Sequence, residues 1–191
     1  MTCVAAVSTA DLVVMGGDCA GSNGHTVQEY ADSKVFAVEL KPQGTRLLLG
    51  YTTSFRMGQV IQHSMDWPRF DASDEAWPWL VKCVVPVMRR LLSDHGWLEK
   101  KSEREVAGKM LIGLGSELFT MDSDFHVFPH KEHGFAAIGS GEEVALGSLH
   151  TSQALGAKDP QARVHAALSA ASDMTPFVRD PFTILKTVDA P

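Results

Sequence analysis

No apolar run in this sequence approaches the roughly 20 residues needed to cross a bilayer, and its start lacks the Lys/Arg-led segment of a secretory signal. These absences set the expectation of a cytoplasmic protein without a membrane partner. Cysteine is scarce. Cys3, Cys19 and Cys83 are odd in number and lack CxxC spacing, which argues against a disulfide framework and a cysteine-based zinc site. Basic charge is also short, with 17 Lys and Arg against 23 Asp and Glu. The net charge of −6 provides no electrostatic case for a nucleic acid partner. No HExxH motif occurs, and although His126, His130 and His133 are close in sequence, no second ligand cluster accompanies them. They read as loop histidines, and no metal or cofactor is expected.

What is present is an ordinary globular composition, 45% hydrophobic and 21% charged over 191 residues, enough for one compact domain spanning 1–191. Two short valine-rich segments, 2–8 and 11–17, read as a β-hairpin turning at Thr9-Ala10. Gly/Ser/Asn-rich residues 20–24 read as a loop, and 34–40 with 45–50 as a second hairpin around Pro42-Gln-Gly44. A helix follows from 55 to 64, and a longer one is expected from Ser73, its predicted N-cap, with Pro86 kinking or splitting it. Trp67, Trp77, Trp79 and Trp97 flank these helices as packing anchors. Strands are expected over 108–115, 117–121, 125–128 and 134–138, helices over 142–155 and 160–172, and a last strand over 181–188. Runs of strands separated from runs of helices favour an α+β layered sandwich over alternating βαβ units.

In the first hairpin, a turn at Thr9-Ala10 would set Thr2 opposite Gly17 and beside Asp18. Lys34 opens the next strand. Taken alone, such residues are polar groups at the rim of a sheet. Removal of Met1 would, however, leave Thr2 with an α-amine of pKa near ~8. Such an amine can act as general base for its own residue's hydroxyl.

With Thr2, then Val13-Val-Met-Gly-Gly-Asp18, then Asp32-Ser-Lys-Val35, the sequence resembles the proteasome β-subunit and HslV family of N-terminal nucleophile hydrolases. The resemblance implies a four-layer αββα sandwich, two antiparallel sheets flanked by helices. It implies Thr2 as nucleophile, Asp18 as its acidic partner and Lys34 as the lysine that tunes the site. In Gly50-Tyr-Thr-Thr-Ser54, the match makes the Thr53 backbone the oxyanion donor, where the family usually carries glycine. Ser140, in the turn Gly139-Ser-Gly141, is implied to contact the terminal amine, and Asp173 to orient it. Asp32, Phe36, Tyr51 and Phe55 fall where the family lines its substrate pocket. The aromatic residues favour an apolar or mixed side chain and Asp32 a basic one. Analogy with HslV also raises a structural cation held by carbonyls near Ser172 and Thr175. The least matched region is 67–104.

The implied function is a threonine-type amide hydrolase, a peptidase for peptide or protein substrates, working as a homo-oligomeric ring or related assembly, with a regulatory ATPase as a further partner. Two alternatives stand beside it: a proteasome-fold assembly protein without activity, and an amidase for small non-peptide amides. Cys3, on the opposite strand face from Thr2, and Cys19, with no histidine base, read as structural.

Overall fold

Short valine- and alanine-rich segments are too small to cover themselves, and they form strands that are buried on both faces. The computed structural model describes residues 2–22, 25–71, 73–101, 104–130 and 134–188. His133 therefore lies outside the described residues. The chain begins with β1 (Cys3–Ser8), β2 (Val13–Gly17), β3 (Ala20–Ser22), β4 (Val27–Glu29), β5 (Val35–Leu40) and β6 (Thr45–Tyr51). Helices α1 (Phe55–Ser64), α2 (Ala76–Trp79) and α3 (Val85–Asp94) follow. Then come β7 (Glu99–Lys101), β8 (Arg104–Val106), β9 (Met110–Leu114), β10 (Glu117–Met121), β11 (Val127–Pro129) and β12 (Phe135–Gly139). Helices α4 (Glu142–Ala154) and α5 (Pro160–Met174) precede the last strand, β13 (Thr183–Lys186).

Two antiparallel sheets form the centre, one in the order β12-β1-β2-β13 and the other β11-β10-β9-β6-β5. Strand parity decides how the layers stack. Val4, Ala6 and Met15 face Leu48, Leu111 and Leu118 between the sheets, while their neighbours Cys3, Ala5 and Val14 face Leu149, Val164 and Leu168 of α4 and α5. On the other sheet, Leu47, Leu49 and Tyr51 point outward to Met57, Ile61 and Met88 of α1 and α3. The result is the expected αββα sandwich.

Three local features differ from expectation in pairing or capping. The β1–β2 register pairs Val4 with Gly17, not Thr2 with Gly17. The connection is longer than a Thr9-Ala10 turn: Thr9 Oγ1 accepts from Asp11 N (3.3 Å) and Leu12 N (3.2 Å) and holds a four-residue loop. The displacement is two residues, so every side chain keeps its face. Residues 20–22, read as loop, pair with β4 as a small hairpin (Ala20↔Glu29). Ser73 is not an N-cap. Asp71 and Asp74 bond each other across it (Asp71 N to Asp74 Oδ2, 2.8 Å), so α2 starts only at Ala76. The β7–β8 hairpin had no expectation attached to it, being a charged pair of three-residue strands. Pro86 does not split its helix: α2, a π turn over Leu80–Val84 with Val85 N bonding Leu80 O, and α3 run on without a break, and the π turn lies just ahead of the proline that lacks an N–H.

Candidate active site

Asp18 follows β2 directly, across from Cys3. Its carboxylate accepts three hydrogen bonds, from Cys3 N (2.9 Å), Ala20 N (3.2 Å) and Lys34 Nζ (2.8 Å). Lys34, just before β5, is itself fully buried and also donates to the Ala20 carbonyl. A buried ion pair of this kind is tolerated only because both partners have further hydrogen bonds. Burial pushes the Lys34 ammonium below its ordinary value, and Asp18 works against that shift. The Phe55 ring centroid lies 5.5 Å from Nζ, so the cation also faces an aromatic surface. Asp18 thus meets the backbone beside Thr2 rather than Thr2 itself, a consequence of the two-residue register difference.

The turn after β12 brings Ser140 to Thr2. Thr2 N donates to Ser140 Oγ (3.2 Å), while Ser140 Oγ (3.3 Å) and Gly141 N (3.3 Å) both donate to Thr2 O. Gly139 has φ 104°, and a Cβ there would collide with the Thr2 carbonyl, so this turn requires glycine. A cleft of about 110 Å³ opens over Thr2, lined also by Ser22, Lys34, Tyr51, Thr52, Thr53, Ser54 and Phe55. Ser54 caps α1, its Oγ accepting from Met57 N (3.3 Å). Thr53 has φ 85°, so the backbone keeps the left-handed conformation that glycine would adopt although a β-branched residue sits there. Its N–H has no acceptor among the described residues. Gly108 leaves the space for this turn, since a Cβ on it would come within 2.9 Å of Thr53 Cβ.

Of the four expected pocket residues, Tyr51 and Phe55 line the cleft, whereas half-buried Asp32 and core residue Phe36 do not. Burial, and then the Asp32 charge, raise the Tyr51 phenol above its ordinary value. Asp173 is not brought to Thr2. It lies about 200° around α5 from inward-facing Ala171, is exposed, and lines a separate cleft with His165, Ser169 and Asp180. Cys3 and Cys19 are buried, and burial raises both thiols, Cys3 to about 12, which suits structural roles.

The carbonyls near Ser172 and Thr175, where analogy raised a cation, do not fit an ion. Arg179 Nη1 already donates to the carbonyls of Ser172 (3.4 Å), Thr175 (3.2 Å) and Val178 (2.7 Å). Sequence reasoning missed Arg179, although a basic side chain just past a helix end is a recognised partner for its unpaired carbonyls. It also missed the Ala20 carbonyl and Tyr30, which no spacing rule reaches. His130 Nε2 is 2.7 Å from Thr120 Oγ1, and no group of three His, Cys, Asp or Glu side chains suited to a metal occurs among the described residues. No described helix is long and apolar enough to cross a membrane.

No protein-family model and no curated protein matches the sequence. Solved structures do match. Thiobacillus denitrificans BPH superposes with a TM-score of 0.76 at 17% identity over 96% of each chain. HslV from Trypanosoma brucei gives 0.66 at 15% identity, covering 96% of this chain and 98% of the other. The chain has the proteasome/HslV fold. A Gly-1 mutant of Anbu from Hyphomicrobium gives 0.71 at 13% identity over 96% of this chain and 80% of its own. At such identities a proteasome/HslV-like backbone is established, and the chemistry rests on this chain's own residues.

Proposed function

We propose that this protein is an N-terminal threonine hydrolase, a peptidase with Thr2 Oγ as nucleophile. The observation that carries the reading is the shared cleft of Thr2, Lys34 and Thr53, floored by the buried Asp18–Lys34 pair. Once the preceding residue is removed, the Thr2 nitrogen becomes an amine already seated on Ser140 Oγ. The nearby Lys34 charge favours its unprotonated form. That amine takes the Thr2 hydroxyl proton as Oγ forms a bond to the substrate carbonyl carbon. The unpaired Thr53 N–H donates to the resulting oxyanion. Collapse breaks the C–N bond, the leaving nitrogen takes the proton from the ammonium, and an acyl-threonine remains. Water, losing a proton to the same amine, then releases the carboxylic acid and restores the hydroxyl.

Self-association accompanies this reading. A helical assembly is described for the Anbu complex of Pseudomonas aeruginosa, and a homo-oligomeric ring or related assembly here, with a regulatory ATPase as a further partner, would restrict access to the cleft. The position of Asp173 outside the cleft favours the second reading, an assembly protein without activity.

Intact mass, followed by treatment with a peptide epoxyketone or β-lactone, separates the two. Thiobacillus denitrificans BPH is known in complex with epoxomicin. The expected result is a chain starting at Thr2 that forms an adduct, and a Thr2→Ala variant that forms none and loses peptide turnover. A mature Thr2 without adduct, together with unchanged turnover in Thr2→Ala, defeats the proposal.

A further inference from the structure

The wall of the Thr2 cleft is made of aromatic rings that fill space beside the nucleophile. Tyr51 is 2% exposed and lies flat against the α1 backbone at Gly58, where any Cβ would enter its ring. Phe55 meets Tyr51 edge-on, with centroids 6.5 Å apart at 83°. Its other side packs on Tyr30 at 5.1 Å. Tyr30 in turn is seated on Gly21, where again a Cβ would enter the ring. Phe36 backs Tyr51 at 6.5 Å. Tyr51 is therefore held from behind and cannot swing aside without displacing Phe36 or the α1 backbone, whereas half-buried Phe55 and Tyr30, 45% exposed, form the rim. Close-packed interiors resist such displacement.

The remaining volume, about 110 Å³, is small beside the roughly 300–1,000 Å³ of ordinary ligand pockets. It must hold the scissile carbonyl unit as well as any side chain next to it. Asp32, which a basic side chain would need to reach, is not among the residues lining the cleft. A second cleft of about 210 Å³, sharing Ser22 and Phe55 with the first and otherwise lined by Gly21, Thr26, Gln28 and Tyr30, gives the substrate chain a polar path away from Thr2.

We propose that Tyr51 and Phe55 close the side-chain pocket beside Thr2, so that this hydrolase acts on acyl groups ending in a small residue (glycine, alanine or serine) and excludes large apolar and basic ones. The proposal rests on the threonine-hydrolase reading. Its test compares two peptide epoxyketones differing only in the residue next to the warhead, alanine or leucine, by the rate of adduct formation on the mature full chain. The alanine probe is expected to react roughly 10-fold faster or more, the discrimination that a few methylenes achieve in a fitted pocket.

In Tyr51→Ala the ratio should fall by a similar factor or invert. Tyr51→Phe keeps the ring and is expected to keep the preference. Should Tyr51→Ala fail to fold, Phe55→Ala opens the same pocket from its half-exposed side and decides the matter. A wild-type chain that takes the leucine probe as fast as the alanine probe overturns the specificity while leaving the hydrolase reading intact. So does an unchanged ratio in whichever opened variants fold. Reaction with neither probe overturns the hydrolase reading and this proposal with it.

Discussion

Beneath Thr2 the cleft is closed by charge and hydrogen bonds, with Asp18 accepting from Cys3 N, Ala20 N and Lys34 Nζ. Beside Thr2 it is closed by the rings of Tyr51 and Phe55, which meet edge-on, with Tyr30 tilted against Phe55. The floor depends on a few directional contacts between groups that cannot be replaced singly, because each leaves an unpaired polar partner in the interior. The wall depends on volume, which several residue types can supply, and on one strained backbone position, Thr53. The difference separates two properties. On the proposed function, the floor governs whether Thr2 reacts and the wall governs what reaches it.

The largest effect is expected on the floor. Lys34→Ala leaves the Asp18 carboxylate buried without its cation and should lower unfolding free energy by about 3–5 kcal/mol in a denaturant titration. The double variant Lys34→Met/Asp18→Asn should recover part of that, since no charge remains unpaired. A loss under about 1 kcal/mol in the single variant would break the contrast, because it would mean that solvent already reaches the pair.

A half-buried cation, Arg179, gives the next test. Arg179→Ala removes the guanidinium from three carbonyls at the end of α5 and should cost about 1.5–3 kcal/mol, the range of charge-assisted hydrogen bonds. Hydrogen exchange should quicken in the last turn of α5. Unchanged exchange there would show that the carbonyls do not depend on Arg179.

On the wall, Thr53→Gly should relieve a left-handed strain of roughly 1–3 kcal/mol and forfeit roughly 0.5–1 kcal/mol of backbone entropy. The net expectation is a gain of about 1 kcal/mol in urea unfolding. A loss would mean that the threonine side chain contributes contacts that outweigh its strain.

The last test is a pH dependence, whose effect is small near pH 9 and grows only at higher pH. The Cys3 thiol is held at about 12 when folded, against 9.0 ordinarily, chiefly by burial. Its folded pKa is raised, so the stability it contributes is complete below pH 9 and is lost as pH climbs toward 12. Wild-type stability should therefore fall more steeply above pH 9 than that of Cys3→Ala. Lys34, whose shift runs the other way, is present in both proteins and does not by itself create the difference. Parallel curves would show that the thiol is not buried as described.

Much of the fold was legible because periodicity survives in long elements. The helical pattern of about 3.6 residues put α1, α4 and α5 near their observed bounds, whereas the run Leu47-Leu-Leu49 marked a strand buried on both faces without saying which leucine faces which layer. Three-residue strands such as β3 and β7 offer no period to detect, and their pairing is decided by tertiary neighbours. Pro86 was visible as a disturbance, met by a π turn rather than a break, whereas the Asp71–Asp74 bridge that displaces Ser73 as N-cap depends on side-chain geometry.

For the site, hairpin spacing brought only Thr2 and Asp18 near each other, whereas the roles of Lys34 and Ser140 came from the family resemblance, since β5 lies in the other sheet and the turn after β12 is far along the chain. Their exact partners could be read from neither. Asp18 meets Cys3 N because the four-residue loop shifts the register by two, a choice made by Thr9 Oγ1. Asp173 could be placed on α5 from sequence, but the helix phase that turns it to solvent follows from packing Ala171 and Leu168 on the inner sheet. Likewise, Tyr51 and Phe55 were recognisable as pocket residues. Whether they line a pocket or fill it depends on Gly58, Gly21 and Tyr30 behind them. The sequence by itself thus determined the order of strands and helices and, through the family resemblance, the candidate groups Thr2, Asp18, Lys34 and Ser140, because apolar patterning and motif spacing are properties of the chain. Tertiary structure alone decided the register, the Arg179 cap and the volume beside Thr2, because each depends on how segments distant in the chain fill the same space.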